Sequence, residues 1–456
     1  MIHHSVPHGA IPEQVVALCR HVQQGGFHAW VVGGSLRDVL MGREPSDWDL
    51  ATSATPEQMM QLFRRLIPTG IEHGTVTVLW HGEPYELTTL RGEGSYSDSR
   101  RPDSVHFIDD IEQDLARRDF TVNAIAYDPL QDRLIDPFGG LGDLERGFLR
   151  TVGVAEDRFG EDGLRVLRAA RFVATLEFDI EDHTREAITA TLDAFRRVSP
   201  ERVRDEWMKT LAAREPSRGF ELMRDTGILG VTCPDLMEQV GCEQNRFHAY
   251  DVWTHTMHCM DACDDDPVQR LAGLMHDIGK PRTRELSDKT GDYTFYNHEH
   301  VGARMADGFL KRMRFSNHDR DFVVHLVRHH LVCYSSEWTD AAVRRFIKRV
   351  GTERVEPLLS LARADALAKG REVSGELRDL QELRQRIERV LDEGAALSTR
   401  DLAINGKDVI ARLDVRPGRI IGQVLEELLG RVMEDPELNQ RETLLSMVDE
   451  IGEAKK

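Results

Sequence analysis

The sequence predicts an α+β protein, with an N-terminal head built on a mixed sheet with helices and an all-helical remainder. Three observations predict it. The chain has 456 residues, which at roughly 150 residues per domain makes about three domains and not one large core. Up to about Gly153, short β-rich runs (Ala29–Val32, Thr75–Trp80, Tyr85–Leu90) alternate with helical stretches such as Pro56–Leu66. From about Ala155 onward the period-2 alternation fades and helical periodicity takes over, as in EDGLRVLRAARFVATL, ERVRDEWMKTLAA and SRGFELMRDTGIL.

Composition narrows the function classes. Lys and Arg number 59 against 78 Asp and Glu, a formal charge of −19, so a global positive field for holding nucleic acid is excluded and any such contact needs a small local footprint. No apolar run approaches the roughly 20 residues that span a bilayer. The N-terminus, MIHHSVPHGAIPEQ, lacks a basic start followed by an apolar stretch, which predicts a cytoplasmic protein with no membrane partner. Six scattered cysteines read as free thiols. Cys259 and Cys263 would share a helix face with His255, as a buried stripe or a metal site.

The head carries the first constellation. Trp30-Val-Val-Gly-Gly-Ser-Leu-Arg reads as a strand, a turn at Gly33 and Gly34, and a helix start. Glycines let the backbone approach a ligand, free amides at a helix N-terminus favour phosphate, and Arg37 adds a forked donor. Ten residues on, in Ser46-Asp-Trp-Asp-Leu, Asp47 and Asp49 would point to one side of an extended strand. Two such carboxylates repel unless a cation sits between them, and oxygen ligands beside a phosphate loop suit Mg²⁺. That is the layout of metal-dependent nucleotidyl or phosphoryl transfer.

Two further runs extend this site. In LARRDFTVNA, the adjacent arginines would neutralise a triphosphate while Asp119 and Asn123 hold a ribose edge. In RFGEDGLRVLRAARF, Arg165, Arg168 and Arg171 recur along one side of a helix expected to begin near Glu161 and Asp162, a row of cations that calls for an anion or for solvent. Glu86 lies on a strand able to supply a third carboxylate, with no register to place it.

The series GGSLRD, SDWDLAT, RRDFTVNAIAY, DPFGGLGDL, GEDGLRVLRAARF and ERVRDEWMK resembles the class II tRNA nucleotidyltransferases and the related bacterial poly(A) polymerases. The resemblance implies a nucleotidyltransferase head at 1–153 and a helical neck for base recognition and RNA binding at 154–246. It implies that Gly33, Gly34, Arg37 and Arg118 meet nucleotide phosphates, Asp47 and Asp49 hold catalytic Mg²⁺, and Asp119 binds ribose. Asp162 and Arg165 would select the base, supported by Arg168 and Arg171. A carboxylate accepts the exocyclic amine of C or A and a guanidinium donates to the adjacent ring acceptor, so one pair reads both bases and rejects G and U. The partners so implied are a tRNA 3′ end, CTP and ATP, with no DNA. Gly70-Ile-Glu-His-Gly-Thr-Val-Thr-Val resembles CCA-adding enzymes, and Arg91–Pro102 resembles a loop kept by CCA-adding and A-adding enzymes. Addition of A alone and poly(A) synthesis remain alternatives.

The second constellation is a cluster of histidines: 10 of the 19 fall between His248 and His330. His255, His276, Asp277, His298, His330 and Asp365 lie in separate, mostly helical segments, and imidazole with carboxylate suits a transition metal of unspecified identity. As a set they resemble the HD phosphohydrolase domain, placed here at 247–375. That resemblance implies His255, His276, Asp277 and Asp365 as ligands, with His298 and His330 for a second metal or phosphate. His300 and His329 stand next to the last two as alternatives. An HD phosphohydrolase acting on RNA ends or nucleotides is the rival function from a different class. A tail at 376–456, with LAINGKDVI and PGRIIGQVL, resembles the family's tRNA-gripping end. The sequence does not set the oligomeric state.

Overall fold

A computed structural model describes residues 2–71, 74–92 and 106–454. The chain divides into two compact units, Met1–Met237 and Glu238–Lys456. Glu72 and His73 of the GxxHGTVTV segment, and most of the Arg91–Pro102 loop, lie outside the described residues.

In the first unit a seven-stranded mixed sheet is built from β1 (Ala29–Val32), β2 (Asp49–Thr52), β3 (Leu66–Gly70), β4 (Thr75–Trp80), β5 (Glu83–Thr89), β6 (Ala126–Asp128) and β7 (Arg133–Ile135). Their spatial order is β3-β4-β5-β2-β1-β6-β7. Only β2 and β5 pair in parallel; the other pairs are antiparallel. One face packs Trp30, Val32, Ala51 and Leu90 on Ile111 and Leu115 of the helix Ile111–Ala116.

Two sequence expectations are corrected. The helix expected over Pro56–Leu66 starts on a Thr55 capping box but stops at Leu62, and Phe63 is already extended. Leu66–Gly70 is instead a strand at the sheet edge, the position where Pro68, which has no N–H to donate, is tolerated. The helix carrying Arg165, Arg168 and Arg171, expected to begin near Glu161 and Asp162, begins at Leu164; a separate helix, Ala155–Glu161, ends just before it, with Asp162–Gly163 between them. A Cβ at Gly163 would stand 2.6 Å from the Ala194 carbonyl oxygen, so the break is a close backbone contact that only glycine permits.

The second unit is helical apart from a small pair of strands, Glu285–Leu286 and Tyr293–Thr294. Asp251 caps the helix Val252–Ala262 through the Thr254 N–H at 2.9 Å, and Asp266 caps Pro267–Met275 through Val268 N–H at 2.8 Å. The tail has its own apolar core around Val424, Leu428, Leu429, Leu444 and Val448. No helix among the described residues is long and apolar enough to cross a membrane.

Candidate functional site

Strand order places the carboxylates. β2 follows a bend that carries exposed Asp47, and the strand itself begins at Asp49, whose parallel partner on β5 is Glu86. Burial and the charge of Asp47 raise the Asp49 pKa, Arg118 opposes them, and Glu86 adds to the rise. Three carboxylates therefore share one field. Gly33, at φ +69°, opens the helix Gly33–Leu40, and a Cβ there would stand 3.2 Å from both Asp49 Oδ2 and Arg118 Nη1. The first glycine of the turn thus makes room for the acid and the base of the site at once.

Behind this edge the basic side chains are held in place. Arg37 donates from Nη1 to Asn123 Oδ1 at 2.8 Å and from Nε to Asp38 Oδ1 at 2.9 Å. Asn123 in turn donates from Nδ2 to Asp119 Oδ1 at 3.2 Å. Asp119 Oδ2 accepts from Arg168 Nε at 2.8 Å; burial disfavours its charge, but Arg168 and Arg165 overcome that and hold its pKa at about 2. Arg118 ion-pairs with buried Asp114 at 3.2 Å and donates to the Asn123 carbonyl at 3.2 Å. Arg117 donates to the same Asp114 from Nε at 2.9 Å.

Asp162 and Arg165 are pinned separately. Asp162 Oδ1 accepts the Leu164 N–H at 3.0 Å and Oδ2 accepts from Arg202 Nη2 at 2.7 Å. Arg165 donates to Glu161 Oε2 at 2.6 Å and to the Arg117 carbonyl at 3.0 Å. Arg171 ion-pairs with buried Glu206 at 3.2 Å and lies over the Phe172 ring at 4.4 Å. The row of cations is thus answered by the protein's own carboxylates: Glu161, Asp119 and Glu206.

These residues open onto one cleft of about 710 Å³. Nine Lys and Arg side chains line it against three carboxylates, Asp49, Asp119 and Asp162. A body of net charge −19 therefore carries a cationic hollow suited to a polyanion. Arg202, Lys209 and Phe172 are members that the sequence reading missed, as it did Asp114, which pairs with Arg117 and Arg118 behind the cleft. Arg202 sits in the ERVRDEWMK motif, the one signal that could have singled it out.

The second unit gathers the histidines. His255 Nε2 lies 3.0 Å from Asp365 Oδ1 and 3.2 Å from His276 Nε2, and His276 Nε2 lies 3.0 Å from Asp277 Oδ2. Asp277 turns its other oxygen to His298 Nε2 at 3.4 Å and His330 Nε2 at 3.7 Å. Backbone carbonyls of Gly273, Phe295 and Val327 lie 2.7, 2.7 and 2.8 Å from Nδ1 of His276, His298 and His330, so each Nδ1–H donates outward and each Nε2 lone pair faces the centre. Converging lone pairs with a carboxylate between them fit a divalent cation, and Asp277 faces two positions for one. Lys280 Nζ stands 2.6 Å from Asp277 Oδ2 as its ion-pair partner, and as an ammonium it has no lone pair to offer a metal. His300 is exposed beside Glu299, and His329 stacks on His325 at 4.5 Å, so neither joins the cluster. Cys259 and Cys263 are buried, and no candidate metal group among the described residues contains a cysteine.

Comparison with known proteins follows the same division. Residues 29–150 match the poly A polymerase head domain. Residues 177–239 match the probable RNA and SrmB-binding site of polymerase A, and residues 295–448 the putative tRNA nucleotidyltransferase domain 2. The CCA-adding enzyme of Ligilactobacillus salivarius is 30% identical over 443 residues, 97% of each chain. The chain belongs to the CCA-adding enzyme family. The CCA-adding enzyme of Lactobacillus johnsonii is 46% identical over 221 residues, a match that spans 48% of this chain and about half (55%) of that relative. The crystal structure of the Bacillus stearothermophilus CCA-adding enzyme in complex with CTP superimposes with a TM-score of 0.73 at 28% identity, covering 97% of this chain and 98% of that one. The Thermotoga maritima enzyme complexed with tRNA shares the fold, with a TM-score of 0.56 at 20% identity over 98% of each chain. Nucleotidyltransferases of this family use a divalent metal, and Asp49, with the charges of Asp47 and Glu86 acting on it, offers oxygen donors of the kind such an ion takes.

Proposed function

We propose that this family member adds CCA to tRNA 3′ ends from CTP and ATP without a template, releasing pyrophosphate at each step. The cationic cleft around Asp49 carries the reading: nine basic side chains line it, and Asp49 stands directly behind the Gly33 turn.

Arg118 and Arg37 take the triphosphate, and Gly33 and Gly34 let it approach the backbone. Asp119 meets the ribose, oriented by Arg168 and Asn123. Asp162 and Arg165 read the Watson–Crick edge of C or A, with Arg168 and Arg171 alongside. Asp162 keeps a lone pair for an exocyclic amine because Arg202 and Leu164 each occupy only one site on its two oxygens. Asp47 and Asp49 would hold Mg²⁺, which when bound supplies charge stabilisation to the attacking 3′-hydroxyl and to the leaving pyrophosphate. Incorporation of CTP and ATP into a tRNA transcript that lacks its last three nucleotides tests this reading.

A second reading rests on the histidine cluster. His255, His276, Asp277 and Asp365, with His298 and His330, form a divalent transition-metal centre of the HD type in the second unit. It would act as a phosphohydrolase on RNA ends or nucleotides. The domain divisions that accompany both readings are 1–153, 154–246, 247–375 and 376–456, in a cytoplasmic enzyme. In the tail, Arg412 pairs with Asp449 and Arg431 with Glu450, and Lys407, Arg416 and Arg419 are candidate cations for RNA.

A further inference from the structure

We propose that His248 is an additional metal ligand of the second unit, completing the cation position at His255 and Asp365. The inference rests on reading the histidine cluster as a metal centre and goes beyond the six residues assigned to it.

His248 lies on the loop before the helix Val252–Ala262 that carries His255. Its ligand atom and those of His255 and Asp365 all lie within 4.8 Å of one another, and its ring meets that of His255 edge-on, 5.0 Å between centroids at 88°. One imidazole nitrogen is already spoken for. Nδ1 lies 2.9 Å from Asn245 Oδ1, the atom that also accepts the Phe247 N–H at 3.2 Å. That atom is therefore an acceptor, Nδ1 carries the proton, and Nε2 keeps its lone pair. This is the arrangement seen at His276, His298 and His330, where an acceptor fixes one nitrogen and frees the other.

The loop is fastened to the element that supplies Asp365. The Ala249 N–H donates to the Lys369 carbonyl at 2.8 Å, one residue past the end of the helix Thr352–Ala368, and Arg371 Nη2 donates to the His248 carbonyl at 3.5 Å. Gly370, at φ +63°, makes the approach possible. A Cβ there would lie 2.4 Å from Tyr250 Cε2 and 3.0 Å from Ala249 Cβ. The left-handed glycine thus lets the loop close on the helix end, which sets His248 beside Asp365 through the Ala249–Lys369 backbone bond and the Arg371 side chain. His248, His255 and Asp365 then form a set of two imidazoles and one carboxylate that shares His255 with the His276 and Asp277 group.

The full-length chain is stripped of metal by chelation and titrated with Co²⁺, read by equilibrium dialysis and visible absorption, for wild type, His248→Gln, His255→Gln and His298→Gln. The proposal expects His248→Gln to weaken Co²⁺ binding by about tenfold or more and to change the absorption spectrum. Wild-type affinity and spectrum in His248→Gln, with losses in His255→Gln, overturn the role of His248 and leave the centre standing. No Co²⁺ binding by wild type overturns the centre and the proposal together. Footprinting of wild type with an imidazole-acylating reagent needs no variant to fold: Co²⁺ protects His248 if its Nε2 is a ligand, and unchanged acylation of His248 while His255 is protected overturns the proposal.

Discussion

Arg202 Nη2 donates to Asp162 Oδ2 at 2.7 Å across 40 residues of sequence. The contact fixes the direction in which Asp162, the carboxylate proposed to read the base, presents its remaining lone pairs. A hydrogen bond to a charged group contributes about 1.5–3 kcal/mol. Arg202→Ala should lower kcat/KM for CTP and ATP by about tenfold and erode rejection of UTP and GTP, with Arg202→Lys restoring part of both. Single-nucleotide incorporation with each triphosphate measures it; unchanged selectivity in Arg202→Ala would show that Asp162 needs no such anchor.

Asp47→Ala with Asp49→Ala should lower nucleotide addition by about 10³-fold or more, the scale of lost charge stabilisation at a transferring group. Co²⁺ binding by the histidine cluster should be unchanged, because the carboxylates and the histidines belong to different compact units. Loss of both properties in a folded double variant would contradict that independence.

Asp119 makes a pH prediction. Its pKa is held at about 2 against an ordinary 3.8, with Arg168 and Arg165 overcoming the burial that would raise it. A group depressed in the folded state binds fewer protons there than in the unfolded chain, so its contribution is complete above about pH 4 and vanishes as pH falls toward 2. The span corresponds to about 2 kcal/mol. Acid denaturation of Asp119→Asn should show a correspondingly shallower dependence on pH in that window than wild type; identical slopes would remove Asp119 from the account.

Gly163→Ala should destabilise the first unit by about 1–3 kcal/mol, because the added methyl meets the Ala194 backbone and not a movable side chain. In a unit of this size the thermal midpoint should fall by roughly 2–4 °C per kcal/mol. An unchanged midpoint would mean that the interruption before Leu164 is not held by that contact.

Much of this was legible in the chain because the signals are local. β1 and β4 stand where their β-rich runs predict them, and the glycine turn and D-x-D pattern lie within 17 residues of each other. What was not legible depends on partners distant in sequence. Glu86 could be placed only by the parallel pairing of β5 with β2, since consecutive strands give no register for a crossover. Asp114 carries no signal in the sequence, and its part appears only in the ion pairs it makes with both Arg117 and Arg118. Pro56–Leu66 misled because a helical pattern runs directly into an edge strand with no glycine between them. Among the histidines, spacing could not separate His298 from His300 or His330 from His329. That choice is made by the Phe295 and Val327 carbonyls, which orient the first of each pair inward.

The central claim is addition of a defined three-nucleotide end. Purified protein with Mg²⁺ is given three tRNA transcripts, ending before CCA, after CC and after CCA, with CTP and ATP separately and together. The account predicts that the first transcript gains C, C and A and stops, the second gains one A, and the third is inert. Extension of the CC-ended transcript alone, or A tails without limit, would contradict it.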